Sequence, residues 1–127
     1  MKNVKFYVCP HCGNLVEMIN DAGANPVCCG QKMKELVPGT VEASVEKHVP
    51  AVSVEEGAVK VAVGSVAHPM VEEHYIPWVY LQTSVGGQRK NLEPGAEPVV
   101  TFALAEGEKP VAVYAYCNLH GLWKAEI

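Results

Sequence analysis

The chain has 127 residues with a formal net charge of -4, and 49% of its residues are hydrophobic. That length suits one domain, or a small domain joined to a modest one. Acidic and basic residues are interspersed, which excludes the basic stripe of a nucleic-acid-binding surface, and no apolar run approaches the ~18 residues of a membrane span. The N-terminus lacks a basic region followed by an apolar one. We therefore expect a cytoplasmic protein whose five cysteines are metal ligands or reactive thiols in a reducing compartment.

Residues 1–36 are predicted to form a small module that a metal stabilises. Residues 4–8 form a predicted short strand that leads to Cys9, and residues 14–18 form a second strand. Residues 20–26 have turn chemistry throughout, after which two more cysteines follow. About forty residues bury too little surface to fold unaided, so a bound metal is the expected source of stability.

Four cysteines of this module have the spacing of a metal site. Cys9 and Cys12 form a CxxC knuckle, and residues 13–27 separate it from Cys28 and Cys29. Four thiolates suit a tetrahedral zinc or a single iron, and the residues alone leave both metals open. Because neighbouring side chains of an extended segment point to opposite faces, Cys28 and Cys29 need a local twist to reach one ion. His11 lies inside the knuckle and is predicted to be a solvent-exposed turn residue.

Residues 37–127 predict one short strand after another. Residues 35–40 are the expected connector, because Pro38 and Gly39 break the pattern. β-Branched residues dominate the remainder and no segment carries a helical apolar stripe. Turns recur about every ten residues, which is typical of a β-sandwich or barrel. The predicted strands lie at residues 52–54, 59–63, 78–83, 99–104, 111–116 and 122–127.

Four histidines and the fifth cysteine are candidates for a second metal site. His48, His68 and His74 each lie near a predicted strand end, and His120 follows Cys117 by three residues. A single histidine in a β domain is more often a hydrogen-bonded or surface residue than a ligand, and the alternative for Cys117 is an inert buried thiol. The combination of all five is what indicates a second metal.

These motifs, taken together, resemble those of desulfoferrodoxin, the two-iron form of superoxide reductase. The resemblance covers nearly the whole chain, and its motifs occur in the family's order. It is carried by residues 9–12, 28–29, 46–50, 68–70, 73–78 and 117–123.

The resemblance implies a mainly β fold with two domains. Residues 1–36 would form a desulforedoxin-like domain, also similar to rubredoxin, and residues 37–127 an immunoglobulin-like β-sandwich. It implies two iron ions per chain, with the second held by four histidines in a plane and by Cys117 on the axis. The implied ligands are Cys9, Cys12, Cys28 and Cys29 for the first iron, and His48, His68, His74, His120 and Cys117 for the second.

The implied activity is the one-electron reduction of superoxide to hydrogen peroxide at an open sixth position. We expect Lys47 to steer superoxide and to order a protonating water, and Glu46 to occupy the open position after oxidation. Without the family, these two residues would be an ordinary solvated charge pair. The backbone N–H groups of Leu119 and His120 are predicted to donate to the sulfur of Cys117.

Partners follow from the same resemblance. The electron donor is expected to be a rubredoxin-like protein or a reductase, and the chain is expected to form a homodimer. A structural calcium ion is left open. We expect neither nucleic acid nor a membrane as a partner.

Two alternatives from other classes stay open at this point. The first is a zinc-ribbon binding module joined to an immunoglobulin-like interaction domain, without catalysis. The second is an electron carrier with two iron centres and no open position. A superoxide dismutase is disfavoured, because a thiolate ligand favours reduction in one direction.

Overall fold

The computed structural model describes residues 4–127. The chain divides into two compact units, and the division falls between Val37 and Pro38. Strands make up almost all of the regular structure of both units, so the prediction of a mainly β fold is confirmed. Within residues 4–127 no helix has the length and apolar character needed to cross a membrane.

The first unit contains five short strands. The central strand β1 pairs antiparallel with β2 on one side and with β5 on the other, and β3 and β4 form a separate hairpin. The strands are β1 Phe6–Val8, β2 Leu15–Glu17, β3 Val27–Cys28, β4 Gln31–Lys32 and β5 Lys34–Leu36. The core is small, with Tyr7, Cys9 and Met33 buried, which agrees with the need for a metal.

The connector predicted at residues 35–40 is wrong at its start. Glu35 and Leu36 belong to β5, where they pair with Tyr7 and Phe6 of β1. The physical reason is that β1 has a second edge whose backbone groups need partners. The sequence around Glu35 carries no alternating apolar pattern, so only the pairing reveals the strand.

The second unit is a sandwich of two antiparallel sheets. One sheet has the order β10-β7-β6 and the other β12-β11-β8-β9. A one-turn helix, α1, precedes them. The elements are α1 Val45–His48, β6 Pro50–Glu55, β7 Ala58–Val63, β8 Trp78–Thr83, β9 Gly86–Asn91, β10 Val99–Ala103, β11 Pro110–Cys117 and β12 Gly121–Glu126.

Alternate residues of facing strands fill the space between the two sheets. Val59, Val61 and Val63 of β7 are fully buried, as are Val79 and Leu81 of β8. This period of two is what a strand with one face toward the core requires. The same cluster includes Val113, Ala115 and Cys117 of β11, so the row of inward side chains ends on a thiol.

Strand β9 is a further element that the sequence analysis missed. It has the sequence GGQRKN and is almost wholly exposed, so it shows no hydrophobic alternation. It forms an edge of its sheet by pairing with β8 from Thr83↔Gly86 to Trp78↔Asn91. Gly87 is needed there because a Cβ at this position would overlap the hydroxyl of Tyr80.

Candidate metal centres

The four cysteines of the first unit converge on one point. Their sulfur atoms all lie within 4.8 Å of one another, and none of them is in a disulfide. The sulfurs of Cys12 and Cys28 are 3.6 Å apart, and those of Cys28 and Cys29 are 3.9 Å apart. Four free thiols at such distances are typical of a structural metal site.

The knuckle after Cys9 turns its backbone N–H groups toward the sulfurs. Cys12 N–H donates to the sulfur of Cys9 at 3.4 Å, and Asn14 N–H donates to the sulfur of Cys12 at 3.5 Å. The intervening Gly13 has φ +82°, a conformation that glycine adopts without steric cost. His11 is exposed in the same turn, as predicted, and is not in the ligand group.

The left-handed backbone conformation of Cys29 brings the sulfur atoms of the adjacent Cys28 and Cys29 to the same side. Cys29 has φ +53°, and among the described residues it is the one non-glycine residue with positive φ. Such a conformation costs an L-residue roughly 1–2 kcal/mol. It supplies the local twist that the adjacent cysteines require.

Hydrogen bonds within the cysteine cluster shift the pKa values of Cys9 and Cys29 in opposite directions. The backbone N–H of Cys12 lowers the pKa of Cys9 to about 6, whereas hydrogen bonding to Cys12 and Cys9 raises the pKa of Cys29 to about 12. The group therefore resists becoming four thiolates at once, because like charges repel. A bound cation removes this conflict, so the residues fit a metal.

The second group of ligands lies at one end of the sandwich. His48 is the last residue of α1, Cys117 is the last residue of β11, and His120 lies in the turn before β12. The ligand atoms of these three residues and of His74 all lie within 4.8 Å of one another. His68 joins them through its Nε2 atom, which is 3.2 Å from Nε2 of His48.

The local structure around two of these histidines is not a simple strand end. His48 lies two residues before β6, but α1 carries it and Val49 N–H closes the helical turn onto Val45 O at 2.9 Å. His68 lies beyond the end of β7, which stops at Val63, and a turn intervenes. Its N–H donates back to Val63 O at 2.9 Å, which returns the chain toward the site.

The four imidazole rings stand around a square. Neighbouring rings are 4.6–5.1 Å apart between centroids and nearly perpendicular, with interplanar angles of 77–84°. His48 and His74 lie opposite each other at 6.5 Å. The order around the square is His48, His68, His74 and His120. Such an array presents four nitrogen atoms to a single point.

The hydrogen bonds of the rings leave the inward nitrogens free to bind a metal. Nδ1 of His48 donates to Ser44 O at 2.6 Å, and Nδ1 of His68 donates to Pro69 O at 2.7 Å. Nε2 of His74 is buried and has no hydrogen-bond partner among residues 4–127. A buried nitrogen without a partner is costly unless it binds something, so these residues fit a metal ion.

Cys117 adds a buried sulfur to the square. The side chain is fully buried, and burial raises the pKa of its thiol, while N–H groups of Leu119 and His120 donate to the sulfur and act in the opposite direction. These two hydrogen bonds are as predicted. The sulfur lies 3.8 Å from Nδ1 of His120.

Sequence comparison assigns both parts of the chain to one family. The family model for desulfoferrodoxin matches residues 40–126, and the model for the N-terminal domain of desulfoferrodoxin matches residues 2–36. This chain belongs to the desulfoferrodoxin family. The resemblance seen in the sequence motifs is thereby confirmed.

Individual desulfoferrodoxins and superoxide reductases match over most of the chain. The desulfoferrodoxin of Nitratidesulfovibrio vulgaris is 46% identical over 122 residues, which cover 96% of this chain and 95% of that protein. The crystal structure of the superoxide reductase from Treponema pallidum superposes with a TM-score of 0.83 at 42% identity, covering 98% of this chain and all of that one. The one-iron superoxide reductase from Giardia intestinalis gives a TM-score of 0.55 at 33% identity, over 65% of this chain and 97% of that one.

The two residues that the desulfoferrodoxin resemblance marks as catalytic lie on α1. Glu46 and Lys47 precede His48 directly, and both are exposed. Neither belongs to the groups of convergent ligand atoms. A hydrogen bond from its own backbone N–H lowers the pKa of the Glu46 carboxyl, so this side chain is ionised at neutral pH.

The backbone of α1 is held by the turn after β7. The carbonyl of Glu46 accepts from Val66 N–H at 2.9 Å and from the hydroxyl of Ser65 at 3.2 Å. A Cβ on Gly64 would lie 2.6 Å from that same carbonyl oxygen. Sequence reasoning missed this turn, because its only local signal is a glycine at the end of an apolar strand.

A buried tryptophan contacts two residues of the second ligand group. Trp123 donates from its indole N–H to His120 O at 3.1 Å, and its ring centroid lies 4.9 Å from that of His48. Sequence reasoning did not assign it a role. Its position three residues after His120 on β12 was the available signal.

The described residues do not support the structural calcium site, a question that the sequence left open. Calcium takes oxygen ligands, carboxylates above all. Within residues 4–127 both groups of convergent ligand atoms consist of cysteine and histidine alone.

Proposed function

We propose that this chain is a superoxide reductase that converts superoxide to hydrogen peroxide. The observation that carries the proposal is the convergence of four imidazoles and one buried thiol on a single point. Membership of the desulfoferrodoxin family and the likeness to a solved superoxide reductase support it. The reaction takes one electron and two protons for each superoxide.

Two iron ions per chain are proposed as cofactors. Residues 1–36 would hold one at the four cysteines, and residues 37–127 would hold the other at His48, His68, His74, His120 and Cys117. Iron held there by four neutral imidazoles and one thiolate would carry a net positive charge and would supply the chemistry of one-electron transfer to superoxide.

The chain keeps two of the histidine ligands in the required protonation state. The Nδ1 protons of His48 and His68 are held by backbone carbonyls, which leaves the rings neutral with Nε2 directed inward. Burial of Cys117 keeps water from its sulfur. Burial raises the pKa of the Cys117 thiol, and two backbone N–H groups that donate to the sulfur partly offset that rise, so a bound cation would complete its deprotonation.

Lys47 and Glu46 have complementary proposed roles. The ammonium group of Lys47 is a strongly hydrated point charge on a flexible stem, suited to drawing in an anion and to ordering a water that delivers a proton. The Glu46 carboxylate is a hard oxygen donor, suited to bind the oxidised iron after the peroxide has left. Both lie on the helical turn that ends at the ligand His48.

Metal content and colour test the function against its alternatives. We expect two irons per chain, a visible band that appears on oxidation of the second centre, and binding of azide to one iron only. A colourless zinc protein would favour a non-catalytic binding module. A coloured protein that binds no azide would favour an electron carrier.

The Lys47→Ala variant tests the steering role. The rate of the superoxide reaction, followed by pulse radiolysis, should fall ~10-fold or more and lose its dependence on ionic strength. Lys90→Ala removes the same charge from the exposed face of β9 and should leave the rate unchanged. Equal salt dependence in the Lys47→Ala variant and the unmodified protein would remove this role.

A homodimer, a rubredoxin-like electron donor and a cytoplasmic location complete the proposal. The first unit supports a dimer because its core is small and Val16, Ile19 and Val27 are exposed by 40%, 82% and 65%. Sedimentation equilibrium should give twice the chain mass. Reduction of the oxidised centre by reduced rubredoxin tests the donor.

A further inference from the structure

The loop that carries His74 has little regular structure of its own. It lies between β7 and β8, and its local order is a tight turn in which Val71 and His74 exchange two backbone hydrogen bonds, at 3.1 and 3.0 Å. Unlike His48 and His68, the His74 ring has no hydrogen bond from any described residue that would set its orientation. Besides its contacts with the rings of His68 and His120, the direction of the His74 ring therefore depends on the placement of its backbone.

Asn118 supplies that constraint from the neighbouring turn. Its side-chain oxygen accepts from Tyr75 N–H at 3.0 Å, and its side-chain NH₂ donates to Glu73 O at 3.2 Å. Its own backbone N–H donates to Tyr75 O at 3.2 Å. These three hydrogen bonds hold the backbone of Glu73 and Tyr75, the residues on either side of His74.

The position of Asn118 makes this contact a link between two ligands. It follows Cys117 directly at the end of β11, which pairs with β12 from Ala112 to Cys117 and with β8 from Pro110 to Tyr116, with an irregularity between Pro110 and Ala112. The hydrogen-bonded sheet therefore positions a loop that has little regular structure of its own. Asparagine suits the role because a neutral amide both donates and accepts, as a backbone group does.

We propose that Asn118 is a positioning residue that fixes His74 relative to Cys117 and so sets how tightly the second centre holds its metal. The inference rests on the proposed function only in taking His74 as an iron ligand. Asn118 touches neither the metal point nor the reacting atoms. It acts through the backbone of Glu73 and Tyr75.

The test uses the iron-loaded full chain and two variants. In Asn118→Ala both side-chain bonds are lost, so the amide of Tyr75 should exchange with solvent about fivefold faster, and iron should leave to a chelator about tenfold faster. In Asn118→Asp the acceptor for Tyr75 remains while the donor to Glu73 O is lost. Tyr75 exchange should then stay near its original rate and iron loss should be intermediate.

Glu73→Ala is the matched control. It alters the same loop but keeps the backbone carbonyl that Asn118 binds, so both rates should be unchanged. Unchanged iron release in Asn118→Ala would overturn the inference, even with faster Tyr75 exchange, because the bonds would then serve local structure alone. If the Asn118→Ala protein does not fold, the Asn118→Asp protein provides the test. Iron release from Asn118→Asp at the rate of the unmodified chain would then overturn the inference. Neither measurement uses superoxide, so absent reductase activity would remove the proposed function and leave this inference standing.

Discussion

The Nε2 atoms of His48 and His68 lie 3.2 Å apart, although neither carries a proton in the neutral ring. In both rings Nδ1 faces a backbone carbonyl, of Ser44 and of Pro69, at 2.6 and 2.7 Å. A carbonyl only accepts, so the proton is on Nδ1 and Nε2 presents a lone pair. Two lone pairs at this distance repel unless a cation lies between them. The close approach of these two nitrogen atoms is therefore evidence for a bound metal, and this evidence does not depend on comparison with related proteins.

The His68→Ala variant should lose the metal of the second centre and keep the metal of the first. Removal of one of five ligands, together with its hydrogen bond to Pro69 O, should lower the iron content from two to about one per chain and abolish the band that appears on oxidation. His11→Ala is the control, since His11 is an exposed histidine outside both ligand groups. Two irons in the His68→Ala protein would contradict the assignment of this ligand.

The metal-free chain should lose stability as the pH falls from about 7 to 5. Burial lowers the pKa of His68 to about 4, below the value of about 6.5 for an unfolded histidine. The unfolded chain therefore binds more protons, so this contribution is complete above pH 6.5 and declines as the pH falls toward 4. Burial also lowers the pKa of His48 and of His74, which acts in the same direction.

Urea unfolding across this pH range measures the effect. Carboxyl groups titrate mostly below about pH 4.5, so above pH 5 the change comes from the histidines and from the thiol of Cys9, whose pKa is about 6. His68→Gln should reduce the slope of stability against pH. A free energy of unfolding that stays constant from pH 7 to 5 would speak against the burial argument.

Cys29 allows its two roles, ligand and strained residue, to be separated. Cys29→Ala and Cys29→Gly both remove a sulfur, so both should lose the metal of the first unit. Glycine adopts positive φ freely, so at φ +53° Cys29→Gly should destabilise the first unit less than Cys29→Ala, by roughly 1 kcal/mol. The second ligand group lies in the other unit, so the superoxide rate should be unchanged in both variants. Loss of that rate would show that the tetracysteine metal takes part in the reaction.

Gly64→Ala should disturb the helical turn that carries Glu46 and Lys47. A Cβ at this position would lie 2.6 Å from Glu46 O and 2.8 Å from Val49 O, so α1 must shift, at a cost of about 1–3 kcal/mol. The superoxide rate and the spectrum of the oxidised centre should both change. Gly107→Ala is the control, because it introduces strain at φ +82° without any contact within 4 Å. It should lower the unfolding free energy and leave the spectrum unchanged.

The sequence by itself predicts the parts whose physics is local. The CxxC knuckle at Cys9 and Cys12 is recognisable because its residues are close in the chain and its turn needs Gly13. The strands β7, β8 and β11 are predicted because each alternates or concentrates apolar β-branched residues over its own length. The candidate ligands of the second centre could also be chosen from the sequence, because thiol and imidazole side chains occur at only a few positions.

Tertiary structure decided the rest, because it depends on contacts between residues distant in the chain. The edge strand β9 exists through its pairing with β8, and its own side chains carry no signal. The square of imidazoles joins His48, His68, His74 and His120 from separate elements, and a linear pattern cannot specify that convergence. The hydrogen bonds between Asn118 and the loop of His74 join residues that are more than forty positions apart in the chain. Composition determines which ligands are available, whereas the packing of the two sheets and their loops determines where the ligand atoms meet.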